Sequence, residues 1–235
     1  MAELVTRVSA SVVAHESLPL HVRVLGRVAY ADALEEQRRL QAARIAGQIP
    51  DTLLLLEHPH VYTLGRRSDP QHILMSEEFL RMHGATIERN ERGGEVTYHG
   101  PGQLMAYPVI LLRAHERSIT GLVDRLEETI IRTLADFGIA ARRDLSDRGV
   151  WVGTRKIASI GMALRRWVSM HGTALNVAPD LRYFTYINPC GHSDLTMTSM
   201  AAELGAAPDL PLVAGAFAHH FAAVFGRQGP AQGQQ

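Results

Sequence analysis

Two residues occur once each in the 235-residue sequence, and both carry reactive side chains: Cys190 and Lys156. A thiolate attacks acyl groups, and a lysine whose ammonium is disfavoured by burial can take up and return a proton. All the other members of the 24 basic residues are arginine, whose guanidinium does not release its proton. A single lysine among arginines therefore points to a position where a proton has to leave. Lys156 stands at the head of an apolar strand pattern in Gly153-Thr154-Arg155-Lys156-Ile157-Ala158-Ser159-Ile160-Gly161; the plainer alternative is a solvated strand-end lysine. Cys190 lies in Ile187-Asn188-Pro189-Cys190-Gly191, where proline and glycine favour a turn and a sulfur that reaches a cleft. The alternative is the usual one for a free cysteine, a small buried hydrophobe.

Two further segments are built unlike structural filler. In Arg92-Gly93-Gly94-Glu95-Val96-Thr97-Tyr98-His99-Gly100-Pro101-Gly102-Gln103, paired glycines precede a strand and let backbone amides approach a ligand; a glycine-rich hairpin with an unremarkable His99 is the plainer reading. His171-Gly172-Thr173-Ala174-Leu175-Asn176 reads as a strand with a glycine inside it, either a bulge or a close backbone approach. Neither segment is a nucleotide fingerprint, since no G-x-G-x-x-G opens a helix and no Walker lysine is present. The 12 histidines include His58 and His60, and the adjacent His219 and His220, but no zinc-binding spacing, so no metal is expected. The pairs Arg38-Arg39, Arg66-Arg67, Arg142-Arg143 and Arg165-Arg166 read as solvated faces that could also make a locally basic surface.

The elements that must position these residues are legible from periodicity. Apolar positions at three- and four-residue steps predict helices over 119–137 and 212–225 and a weaker one over 30–46, the second of these starting at Leu212 and the first ending before Gly138. Short apolar runs predict strands at 52–57, 61–64, 95–98 and 104–112, then a meander over 150–152, 156–164 and 168–177. Strands grouped with strands and helices inserted singly predict an α+β fold, with mixed, largely antiparallel sheets flanked by helices, rather than a doubly wound sheet. The length suits one domain: residues 1–20 read as an N-terminal extension, 21–225 as the catalytic domain, and 226–235, rich in Gly and Gln, as a disordered tail.

Composition excludes several classes. One cysteine rules out a disulfide framework, and a formal net charge of zero gives no global field for nucleic acid. The apolar runs are too short for a membrane span, and Glu3, Arg7, His15 and Glu16 interrupt any signal-peptide core, so a cytoplasmic location is expected.

Taken together, R-G-G-x-V-T-Y-H-G-P-G-Q, G-x-x-K-I-A-x-I-G, H-G-x-A-L-N and P-C-G, in that order, resemble the lipoyl(octanoyl) transferases. Leu54-Leu55-Leu56-Glu57-His58-Pro59 and Tyr62-Thr63-Leu64-Gly65-Arg66 add to the match, which runs from about Leu25 to Leu204. The resemblance implies the catalytic-domain fold of biotin and lipoate protein ligases and an octanoyl acyltransferase without a cofactor. Its donor would be octanoyl-acyl carrier protein, and its acceptors the lipoyl domains of 2-oxoacid dehydrogenases and the glycine cleavage H protein. It further implies Cys190 as the acylated nucleophile and Lys156 as its partner. The acyl-binding segments implied are Arg92, Gly93, Gly94, Glu95, Val96, Thr97, Tyr98 and His99, then Ser159, Ile160 and Gly161, then Gly172, Thr173 and Ala174, with His171 a further site residue. Thr173 departs from the bulkier apolar residue of the family pattern. The rival readings are an ATP-dependent lipoate–protein ligase on the same fold, a non-catalytic lipoyl-domain binding module and a cysteine hydrolase.

Overall fold

The computed structural model describes residues 18–188 and 195–228. Cys190 and its turn, most of the N-terminal extension, and residues 229–235 of the tail lie outside the described residues. The chain runs β1 (Leu18–Arg27), α1 (Tyr30–Ile45), β2 (Asp51–Glu57), β3 (Val61–Leu64), α2 (Glu77–Met82), β4 (Thr86–Arg89), β5 (Val96–His99), β6 (Gln103–Val109) and α3 (Ile119–Asp136). It continues through β7 (Arg142–Arg143), β8 (Val150–Val152), β9 (Arg155–Arg165), β10 (Val168–Asn176), α4 (Met200–Leu204), α5 (Leu210–Phe225) and β11 (Arg227–Gln228). Among the described residues an eight-stranded sheet has the order β11-β1-β2-β6-β10-β9-β8-β7, and a three-stranded sheet has the order β4-β3-β5.

The uninterrupted leucines of β2 have a direct structural reason, because both faces of that strand are covered. Successive side chains alternate sides: Leu53 and Leu55 join the core built with α3 and α5, while Leu54 and Leu56 join the core under α1. On β6, Leu104 and Ala106 face the first core, and Met105 and Tyr107 the second. The stripe Leu122, Leu126, Ile130 and Leu134 of α3 packs in the same core as Val213, Phe217 and Phe221 of α5, as the helical spacing predicts. Ser118 caps α3 by accepting the Gly121 amide at 3.0 Å, and Gly138, at φ +78°, ends it.

The predicted meander is present, and the α+β class holds, with three parallel pairs within it: β1 to β2 across α1, β11 to β1, and β4 to β3 in the smaller sheet. Both domain boundaries move outward. The first strand begins at Leu18, with Leu20 buried in the main core, so residues 18–20 are not an extension. Arg227–Gln228 form a strand rather than part of a tail. The cause is electrostatic: the buried Arg227 guanidinium donates to Asp51 (2.8 Å) and Glu116 (2.9 Å), two carboxylates that would otherwise be buried with less compensation. No helix among the described residues is long and apolar enough to cross a membrane.

Candidate active site

The segments singled out in the sequence meet around one cavity of about 520 Å³. Strand register brings two of them face to face. Gly161 pairs with Gly172, Ile160 with Thr173, and Ser159 with Ala174, across the β9–β10 ladder. The third is laid on the same wall: the Gly93 amide donates to the Met162 carbonyl at 3.0 Å, and a Cβ on Gly161 would stand 3.0 Å from Arg92 Cδ. Gly172 has an equally plain reason, since a Cβ there would lie 1.9 Å from the Ala106 carbonyl oxygen. Met105 and Tyr107 of the adjoining β6, Tyr30 of α1, and Ile119 and Val123 of α3 also line it.

Of the implied acyl-binding residues, Arg92 to Thr97, His99, Ser159 to Gly161 and Gly172 to Ala174 all line this cavity, together with His171. Tyr98 does not. Its ring belongs to the core beneath β5, stacked on Tyr183 (5.1 Å between centroids) with its hydroxyl 2.8 Å from His60 Nδ1. The alternation along β5 sends it away from the side that His99 faces. Gly100 is shaped by this, because a Cβ would collide with the Tyr98 hydroxyl. Arg92 is mainly a brace: Nη2 donates to the Thr63 carbonyl (2.6 Å) and hydroxyl (2.8 Å), which fixes the glycine loop against β3. Glu95 meets His72 at 3.2 Å.

One part of the cavity, lined by Tyr30, His99, Tyr107 and His171, is buried and aromatic, with His58 bonded to Tyr107 outside the lining. His58 Nδ1 donates to the Val28 carbonyl at 2.7 Å and Nε2 accepts from the Tyr107 hydroxyl at 2.8 Å, which defines a neutral ring; burial holds its pKa down at about 4. Burial likewise holds His171 at about 4 and His99 well below the ordinary histidine range, and pushes the Tyr30 phenol up to about 12. His171 occupies a left-handed backbone position (φ +62°), kept there by its amide donating to Gln37 Oε1 at 2.8 Å. These neutral aromatic side chains suit an apolar chain.

Lys156 lies on the same wall as Ser159–Gly161, with only 4% of its side chain exposed. Its Nζ donates to Asp147 Oδ1 at 2.8 Å and stands 5.2 Å from the Trp151 ring centroid. The chain following the undescribed residues 189–194 is bound to this lysine: the Lys156 amide donates to the Thr196 carbonyl and the Thr198 amide to the Lys156 carbonyl, each at 2.9 Å. The chain preceding them is bound at Asn188, whose amide donates to the His72 carbonyl at 2.7 Å. Asp147, Tyr30, Tyr107 and Gln37 carry no sequence signal, whereas Thr63 lies in the segment 62–66 already singled out. The first four reach the site through tertiary packing from segments with no motif of their own. Among the described residues no three His, Cys, Asp or Glu side chains converge as a metal site.

Residues 29–222 match the family described as the lipoyl protein ligase A/B catalytic domain. The octanoyltransferase of Solibacter usitatus is 51% identical over 204 residues, which is 87% of this chain and 92% of the relative. That of Chloroflexus aurantiacus is 49% identical over 198 residues, 83% and 89% of the two chains. Among solved structures, lipoate-protein ligase A bound with ATP superposes with a TM-score of 0.73 at 16% identity, covering 91% of this chain and 87% of that one. The bipartite lipoate protein ligase of Thermoplasma acidophilum gives a TM-score of 0.70 at 14% identity, with coverage of 92% and 87%; both likenesses are of fold. The chain belongs to the lipoyl protein ligase A/B catalytic-domain family. Within it the chain falls among the octanoyltransferases, acyltransferases that move octanoyl groups in protein lipoylation.

Proposed function

We propose that the protein takes the octanoyl group of octanoyl-acyl carrier protein onto Cys190 as a thioester and passes it to a lysine of a lipoyl domain. The acceptors on this reading are the lipoyl domains of 2-oxoacid dehydrogenases and the glycine cleavage H protein, and the setting is the cytoplasm. The observation that carries it is a cavity with a buried aromatic part and the chain's single lysine in its wall. Of the residues flanking the segment that contains Cys190, Thr196 is hydrogen-bonded to Lys156 and Asn188 to His72.

The chemistry balances in two steps. Lys156 takes the Cys190 thiol proton, the thiolate bonds to the acyl carbon as the carrier's thiolate leaves, and Lys156 gives that proton to the leaving sulfur. Neutral Lys156 next removes a proton from the acceptor ammonium; the free amine attacks the thioester, Cys190 thiolate leaves, and the amide nitrogen loses its second proton to solvent. One thioester is exchanged for another and then for a stable amide, so no nucleotide is consumed. Intact mass spectrometry after mixing with octanoyl-acyl carrier protein, without ATP, tests this. An octanoyl adduct is expected on the native chain and absent from Cys190→Ser. An adduct that survives the substitution overturns Cys190 as nucleophile, and transfer that requires ATP restores the ligase reading.

Carrier and lipoyl domains that are acidic would find a basic rim. The pairs Arg38-Arg39 and Arg142-Arg143 are occupied by Glu91, Glu36, Asp144 and Glu128. Arg66-Arg67 and Arg165-Arg166 are exposed and make no ion pair among the described residues, and Arg67 lines the cavity mouth. Replacing Arg66 and Arg67 by Gln is expected to raise KM for the carrier and flatten its salt dependence with little change in kcat. A KM that is insensitive to both substitution and salt removes the docking role.

A further inference from the structure

We propose that Asp147 is the positioning residue of the reaction, holding Lys156 Nζ in place and stabilising its charged form, an inference that rests on Lys156 as the proton carrier. Among the described residues Asp147 Oδ1, at 2.8 Å, is the hydrogen-bond acceptor of Nζ. The second contact of Nζ, the Trp151 ring at 5.2 Å, also prefers a cation, because the ring face is electronegative. The lysine side chain is 4% exposed and the aspartate's 23%, so the pair is largely removed from water.

The loop that carries Asp147 is held in position by Trp151 and by the buried side of α3. Trp151 Nε1 donates to the Asp147 carbonyl at 3.1 Å. The Gly149 amide donates to Glu127 Oε1 and Arg148 Nη1 to Glu127 Oε2, both at 3.1 Å, and Arg148 also reaches Asp124 at 2.7 Å. These bonds fasten residues 147–149 to the buried face of α3. Gly149 sits at φ +138°, and a Cβ there would be 2.6 Å from Lys156 Cε, so the loop wraps the lysine stem as closely as a backbone can.

Among the described residues, the charges facing Lys156 from the packed elements leave Asp147 as its counterion. Arg148 is taken up by Glu127 and Asp124 of α3, and Arg155 of β9 by Glu203 of α4 at 2.9 Å. Across the cavity Glu95 meets His72, and Arg92 is braced on Thr63. The segment alongside Lys156 contributes Thr196, Met197 and Thr198, which carry no charge. A carboxylate at this distance holds Nζ by a charge-assisted hydrogen bond while it carries the proton, and keeps the amine in place for the proton of the incoming acceptor. The same contact therefore serves the second half-reaction.

The test uses the fact that Lys156 is the only lysine in the chain. Lysine labelled with 13C at Cε and 15N at Nζ gives one side-chain signal, whose titration follows this amine alone. Asp147→Asn is expected to titrate about one pH unit or more below the wild type, Asp147→Ser likewise, and Asp147→Glu close to it. Octanoyl transfer by Asp147→Asn at neutral pH is expected to fall about tenfold, in kcat rather than in KM for the carrier. Coincident titrations of the wild type and Asp147→Asn or Asp147→Ser overturn the proposal. Failure of the underlying reading is separate: it would show as wild-type transfer by Lys156→Arg, whatever the titrations give.

Discussion

Lys156→Arg is expected to lower octanoyl transfer by about 10²- to 10⁴-fold, the range that a positioned acid–base group supplies. Arginine keeps the positive charge beside Asp147 and Trp151 and removes the exchangeable proton, so the substitution separates electrostatics from proton transfer. Thiolate activation alone would not give so large an effect. Lowering a thiol pKa from about 8.5 to about 6.5 raises the thiolate fraction at pH 7 about 25-fold, and the accompanying fall in nucleophilicity leaves a net gain of only about threefold. The amine is the harder partner: a lysine of pKa about 10.4 is neutral in only about one molecule in 2,500 at pH 7. The loss should therefore fall mainly on transfer from the acyl-enzyme to the lipoyl domain. Following the decay of the octanoyl adduct by mass spectrometry measures that step, and decay within a few-fold of wild type removes the acid–base role.

Arg227→Ala is expected to destabilise the protein by about 3 kcal/mol, because removing one member of a buried ion network leaves carboxylates without full compensation. For a chain of this size that lowers Tm by roughly 6–12 °C. The figure sits at the lower end for broken buried pairs because Asp51 keeps Arg44 (2.7 Å) and Glu116 keeps Arg113 and Arg125 (both 3.1 Å). Burial by itself would raise the Glu116 carboxyl, but the hydrogen bonds from Arg227 and Arg113 win and hold it far below the ordinary carboxylate range. A depressed folded pKa gives stability that is present above the unfolded value and lost as pH falls from there toward the folded one. The wild type should thus keep this contribution down to about pH 4.5, the unfolded value, and lose it progressively in stronger acid. Thermal melts of wild type and variant at pH 7 and pH 3 should show a smaller difference at pH 3. A chain ending at Gly226 should melt like Arg227→Ala, and a Tm equal to that of the full chain would show the network to be dispensable. None of its three buried members lines the acyl cavity.

The contrast between these residues marks what a single sequence discloses. The helices over 119–136 and 210–225 and the strands of the meander were readable because burial on one or both faces imposes a period on side-chain type. The glycine segments were readable because a missing Cβ is a local demand, met at Gly161 by Arg92 and at Gly172 by a carbonyl of the neighbouring strand. That Ser159–Gly161 and Gly172–Ala174 are direct cross-strand partners follows from a tight hairpin, so the sequence nearly contains it. Tyr98 shows the limit of a motif: it lies inside the most informative segment, yet faces the other side of its strand. Asp147 and Arg227 had no period, no motif and no unusual composition around them. Both are polar residues whose meaning is set by a partner brought in from a distant element, Asp147 by the strand that bears Lys156 and Arg227 by the start of β2 and the turn before α3.

The burial of the one lysine also bears on how this enzyme lives with its own chemistry. An enzyme that places acyl groups on exposed lysines of other proteins risks placing them on itself. Here every basic residue but Lys156 is an arginine, and this only ε-amine is walled in by Asp147, Trp151 and Gly149. On the proposed mechanism an octanoyl thioester would meet no exposed amine of its own chain apart from the α-amine, and the octanoyl group would be kept for the partner that brings a lysine to the cavity.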